Sequence, residues 1–206
     1  GIFEILLIDD TIRAMITRGV DSKQIQDIGI KHRMQTMRMH GARMVLEGTV
    51  RSVSGKDVRG RSRVVMAFRR PDAVRIEIPG PTGARLVAVA RGGRLTAVLP
   101  AERAFLESAA TAEDLEALLG VALSPRELMD VLVGVAPAGL RDYEAQWGDT
   151  LPRRVEALLA DGTRLKATVD DAEADPDLAE AVFLPPPHPG YRPIDADEAR
   201  RLLGRR

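Results

Sequence analysis

Cysteine is absent from the 206 residues, which removes disulfides, thiol catalysis and thiolate metal sites, and is compatible with cytoplasm or periplasm. Aromatic residues make up 3%, too few for base-stacking platforms. Thirty basic and thirty acidic side chains cancel, so no broad footprint for nucleic acid is expected. No apolar run approaches the roughly 18 residues of a membrane-spanning helix. With three scattered histidines, no Ser/His/Asp arrangement or metal cluster can be argued, and neither enzyme activity nor a cofactor is expected. The paired acids Asp170-Asp171 and Asp195/Asp197 read as solvated or capping groups. The chain starts at Gly1 with no initiator Met, basic leader or lipid-attachment cysteine, so it is expected to be a fragment, a processed product or an engineered piece.

Proline is missing before Pro71, and all thirteen lie from there on. Eight of eleven isoleucines and five of seven methionines fall in residues 1–48. With 45% apolar and 29% charged residues the whole has the composition of a globular protein, and the shift near residue 50 suggests two pieces, 1–48 and 49–206. In the first, Ile2 to Ile8 reads as a strand. Ile12, Met15 and Ile16 have helical spacing, a second helix starts near Asp21, and a third is expected from about Thr36 to Glu47, stopped by Gly48. His32 and His40 fall on these helices, and the methionines sit at core spacing.

The second piece begins with Gly48 to Ser54, where Val50 and Val53 are weak apolar positions. A four-strand meander from Gly60 to Pro100 follows. Val64, Met66 and Phe68 alternate with charged residues, as do Val74, Ile76 and Ile78, then Leu86, Ala88 and Ala90, then Leu95, Ala97 and Leu99. Successive strand residues point to opposite faces, so this pattern buries one face and wets the other. Gly92-Gly93 supplies the positive φ of a two-residue hairpin turn and pairs Ala90 with Leu95, Ala88 with Ala97 and Leu86 with Leu99.

A short strand at Ala104–Glu107 precedes two helices. Thr111 caps the first, with Leu115, Leu118 and Leu119 as its stripe and Gly120 as its stop. Ser124-Pro125-Arg126-Glu127 is a capping box opening the second, whose apolar face is Leu128, Val131 and Leu132. Tyr143 and Trp147 fall in a loop or irregular strand, Trp147 as packing or cavity wall. A hairpin about Asp161-Gly162 should pair Leu158 with Leu165 and put Glu156 beside Ala167, mixed faces suited to a sheet edge. Ala181–Leu184 reads as a last strand. Pro185 to Gly190 is extended, with His188 exposed, and Asp195 starts a terminal helix ending near Leu203.

The expected fold is mainly β with α: an open, curved antiparallel sheet, a half-barrel, with short helices in its mouth. Its concave face needs apolar cover, either an ordinary filled core or a cavity for an apolar ligand.

Two family resemblances bear on this. GIFEILLIDDTIRAMITRG with HRMQTMRMHGARMVLEGTV resembles the tail of the type II secretion and type IV pilus assembly ATPases, the GspE/PilB group. That match covers about 48 residues and brings no catalytic machinery, since Gly55-Lys56-Asp57 is not a phosphate loop. The second piece, over about residues 48–184, resembles the LolA/LolB superfamily, LolB-like receptors most closely. The matching features are Arg69–Asp72, the loop Pro81–Gly83, Gly92-Gly93, the T-x-x-D-L-x-x-L-L-G helix at Thr111–Gly120 and the Ser-Pro-x-Glu-Leu helix closing at Gly134–Pro137.

The second resemblance implies non-enzymatic binding of acyl chains of lipoproteins, or of other lipid, with a periplasmic carrier protein and the outer membrane as further partners. It places residues 49–206 in the periplasm or on the outer membrane's periplasmic face; the ATPase-tail resemblance implies cytoplasm. The two compartments conflict, so a join that is not natural is expected at about residues 45–55, and a secretion-ATPase fragment fused or mis-joined to an envelope domain is the alternative. The cavity wall would be Val64, Met66, Phe68, Val74, Ile76, Ile78, Leu86, Leu95 and Leu99. Its lid would be Leu115, Leu119, Leu128, Val131 and Leu132. A delivery loop at Pro81, Thr82 and Gly83 would carry Thr82 where such receptors carry a bulky apolar residue, which weakens delivery or moves it elsewhere.

Overall fold

A computed structural model describes residues 39–54 and 57–204, with backbone alone at 57–60. The strand and first two helices expected before residue 36 lie outside the described residues. The third expected helix is corrected: residues 41–51 form a strand, β1 (Gly41–Arg51). Ala42, Met44, Leu46 and Val50 are buried while Arg43 is exposed and Val45 and Glu47 are half-buried, a period of two that short-range helical spacing had disguised. Gly48 lies inside the strand and ends no helix, and His40 precedes the strand. β1 pairs along its length with neighbours on both sides, and that ladder outweighs local helix preference. It runs without a break across the boundary expected at residue 48.

The meander follows as β2 (Asp57–Arg69), β3 (Ala73–Gly80), β4 (Gly83–Arg91) and β5 (Arg94–Leu99), then β6 (Ala104–Ala109). Registers match the alternation: Phe68 faces Val74, Met66 faces Ile76, and Ile76 faces Ala88. Ala90 stands opposite Leu95 and Ala88 opposite Ala97, with both turn glycines at positive φ. Leu86 and Leu99, one step further, are fully buried. β7 (Asp142–Trp147), β8 (Pro152–Leu158), β9 (Arg164–Ala174) and the two-residue β10 (Arg192–Pro193) complete the sheet. The order is β10-β6-β5-β4-β3-β2-β1-β9-β8-β7, open between β10 and β7 and antiparallel except for β10 on β6.

The hairpin at Asp161-Gly162 has a different register from the one expected. Leu165 faces Ala157 and Ala167 faces Val155, while Glu156 faces Lys166. Leu159 N–H donates to Thr163 O at 2.8 Å and Gly162 N–H to Leu159 O at 3.0 Å, closing a three-residue loop with Gly162 at φ 85°. One extra loop residue shifts the pairing by one, setting Leu165 and Ala167 on the face of Val155 and Ala157 and leaving Leu158 on the other with Glu156. The buried face is therefore wholly apolar through this hairpin, and β9 is no edge: it lies between β1 and β8.

Three helices are present among the described residues: α1 (Ala112–Leu119), α2 (Pro125–Leu132) and α3 (Ala196–Gly204). Thr111 Oγ1 accepts the Asp114 N–H at 3.2 Å, and Gly120 closes α1 in the left-handed region. Ser124 and Glu127 make both hydrogen bonds of a capping box on α2. At eight residues each, α1 and α2 depend on docking their apolar stripes. They do so over the concave face, where Leu115, Leu118, Leu128, Val131 and Leu132 join one cluster with Met44, Met66, Phe68, Ile76 and Leu95. α3 packs on α1 and adds Ala199 and Leu203.

The convex face is not simply wet. Ala67, Ala73, Val87, Val89 and Val98 are buried there, outside the concave cluster. Residues 175–191 cross it as a strap, and Phe183, 1% exposed, packs down from it. Ala181–Phe183, expected as strand, belong to a 3-10 turn (Glu180–Phe183). His188 is half-buried, not exposed, with its ring 4.5 Å from that of Phe105.

Candidate functional site

The concave layer is not completely filled. A cavity of about 80 Å³ lies between the sheet and the two lid helices. Its floor is Leu46, Gly48 and Val50 of β1, Ser62, Val64 and Met66 of β2, Ile76 and Ile78 of β3, and Leu165 and Ala167 of β9. Its roof is Leu118, Leu119, Val121, Leu128 and Leu132. Among the described residues Ser62 is the one polar side chain in that lining, and none of those lining it is ionisable. Val64, Ile78 and Leu119 are only half-buried although they face the core, because empty space adjoins them.

Of the residues singled out from sequence, Val64, Met66, Ile76, Ile78, Leu119, Leu128 and Leu132 surround this cavity. Phe68, Val74, Leu86, Leu95, Leu99, Leu115 and Val131 lie apart from it, buried in the solid part of the same layer. Pro81, Thr82 and Gly83 form the exposed turn between β3 and β4, with Gly83 at φ 125°. The β1 and β9 contributions were missed. The first was hidden by reading β1 as a helix, the second by the one-residue register error. Extending the period-two pattern back from Val50 through Leu46 to Met44 finds the former.

The cavity lies toward one end of the strands, and the Arg-Arg-Pro-Asp turn that holds lid and strap lies toward the other. Arg69, Arg70 and Asp72 of the Arg-Arg-Pro-Asp turn each secure a different element. Arg69 pairs with Glu180 and donates to Leu178 O in the strap, with its guanidinium 5.2 Å from the Phe183 ring centroid. Arg70 donates to Asp130 of α2 at 2.8 Å. Asp72 accepts the Gly92 N–H at 3.1 Å, joining two turns. Tyr143 of β7 donates to Val131 O at 2.6 Å at the end of α2. Burial pushes the Tyr143 hydroxyl well above the usual tyrosine range, and the Asp130 charge adds to it. Trp147 packs against Gly134, where an added Cβ would lie 2.3 Å from its ring. A second concavity, about 360 Å³, is bounded by His40, Gly41, Phe68, Arg69 and 175–178 at the lid-holding end. Its lining is mixed, and Asp175 accepts the His40 and Gly41 N–H groups there, at 2.6 and 3.0 Å.

An open antiparallel half-barrel with a helical lid over an apolar cavity is thus the class of architecture. No protein-family model matches the chain, and no curated protein matches its sequence. Among solved structures it is similar to an uncharacterised conserved protein from Thermus thermophilus (10% identity, TM-score 0.43, 80% of this chain and 96% of that one). It is also similar to a domain named for outer membrane lipoprotein sorting from Vibrio parahaemolyticus (8%, 0.45, 76% and 94%). A LolA superfamily protein from Nitrosomonas europaea is a further likeness (8%, 0.46, 72% and 91%).

Proposed function

We propose that the protein binds acyl chains, of lipoproteins or other lipids, between its concave sheet and its two lid helices, without catalysis. The observation that carries this reading is the cavity itself, apolar on every side but Ser62 and roofed by two short helices. The LolB-like order of turns and helices in the sequence supports the finer reading, a role in lipoprotein transport at the periplasmic face of an outer membrane.

Partitioning supplies the affinity. Each methylene moved out of water contributes about 0.8 kcal/mol, so a partly sheltered chain gains several. At about 80 Å³ the cavity holds roughly three waters' volume. Ligand pockets usually enclose about 300–1,000 Å³. Binding therefore requires α1 and α2 to move off the sheet. Opening exposes the apolar stripes of both helices to water, a cost the entering chain offsets by taking their place. Release needs a surface that shelters the chain equally well.

The test is displacement of a fluorescent acyl probe from the purified chain, together with native mass spectrometry. Saturable binding near one chain per protein is expected. No binding by either method would sink the proposal. A Leu128→Trp variant that binds the probe as tightly as wild type would move the site elsewhere.

A further inference from the structure

Net charge is zero, yet charge is polarised along β9 and the segment after it. β9 opens with Arg164 and Lys166 and closes with Asp170, Asp171 and Glu173. Asp175, Asp177 and Glu180 follow, so residues 170–180 hold six acids and no base. β1 and β2 place Arg51, Arg61 and Arg63 at the opposite end, beside Arg164 and Lys166. This basic end is the one toward which the cavity lies. Arg51, Arg63, Arg164 and Lys166 alternate with the cavity-lining Val50, Ser62, Val64, Leu165 and Ala167, and so occupy the convex side of its rim.

Arg51 and Arg164 face each other directly across the β1–β9 ladder, both exposed. On its other side Arg51 stands opposite Asp57 of β2, so the cation of the two without an acid in register is Arg164. Glu47 pairs with Arg61 and Glu156 with Lys166. Arg63 and Arg164 are exposed and make no ion pair among the described residues. Val53 projects at the same end, following β1. It is 75% exposed, one of two exposed large hydrophobic residues among those described. A cationic rim with an apolar tip matches a lipid interface, where head groups neutralise the arginines and Val53 leaves water.

We propose that this end of the sheet docks on the surface of an anionic lipid bilayer, turning the cavity toward the membrane and the acidic strap away from it. The oriented field would arise despite neutrality, because a surface potential decays within a Debye length of about 8–10 Å and acts on the nearer charges alone. The purpose of the contact rests on the acyl-chain reading, but its test does not.

The full chain is sedimented with vesicles of phosphatidylcholine, and with vesicles containing roughly a third phosphatidylglycerol. Binding to the second alone is expected, weakening steeply with added salt. Arg63→Glu with Arg164→Glu should lower it at least about tenfold, and Val53→Ser several-fold, with unchanged circular dichroism and acyl-probe binding. Equal binding to both vesicles, binding to neither, or an unaffected double variant overturns the proposal. So does capture by an acidic protein with no vesicle binding. Probe binding without vesicle binding overturns docking alone; vesicle binding without probe binding overturns the cavity reading alone.

Discussion

Gly134 shows how much one position can decide. Its φ of 91° is left-handed, and the space for a Cβ is occupied by the Trp147 ring. Gly134→Ala therefore carries both backbone strain and a clash with a ring that cannot easily retreat. A loss of about 2 kcal/mol or more is expected in urea unfolding; a loss below half of that would show that Trp147 moves aside. Tyr143 is a second such position. Because its folded pKa is raised above the unfolded value of about 10, the tyrosine stays protonated when folded, and its contribution is present below that pH and lost as pH rises beyond it. In a Tyr191→Phe background, ultraviolet titration should show no tyrosinate at pH about 11 while the protein remains folded. Tyr143→Phe should cost about 1 kcal/mol by deleting the bond to Val131 O.

At the scale of elements, the strap ties the convex face together. Phe183 is its anchor, and Phe183→Ala should cost about 3–5 kcal/mol, visible as a lower midpoint in denaturant. Glu180 holds the strap electrostatically: the Arg69 hydrogen bond, then the Arg91 and Arg69 charges, keep its carboxyl below the ordinary carboxylate range. A depressed folded pKa means the contribution is present above the unfolded value and lost as pH falls through the folded one. Amide shifts of residues 179–184 should thus move only as pH falls below the ordinary glutamate value of about 4.3 in wild type. Equal movement in Glu180→Gln would assign the change to another group.

Strands β2 to β5 and helices α1 to α3 were legible in sequence because pattern, turn chemistry and caps agreed locally. The strap was not. The residues it covers, Val87, Val89 and Val98, are apolar on the side taken as wet, and that second alternation was the available signal. β1 was misread because its fate depends on partners far away in the chain, which local spacing does not record. Half of the cavity wall was lost with β1 and with the loop length at Gly162. Neither Arg70–Asp130 nor Tyr143–Val131 could be foreseen, since each joins elements whose relative placement only the fold determines.

For the molecule as a whole, function turns on how the lid comes off. Leu128 is 5% exposed and borders the cavity, so Leu128→Trp should fill the void from the roof. Acyl-probe affinity should fall at least about tenfold, at a stability change within the ~1–3 kcal/mol of overpacking. The position of β1 has a consequence for biosynthesis. The strand joins β2, its neighbour in sequence, to β9, with contacts spanning 130 residues. A ribosome moving from the N-terminus completes β1 through β6 about 3–11 seconds before it reaches β9, at about 5–20 residues per second. Through that interval the nascent meander ends in a bare strand, with Met44 and Leu46 lacking one flank of cover. Chaperone demand during synthesis should therefore peak with β1 uncapped, and fall once the β8–β9 hairpin closes the gap.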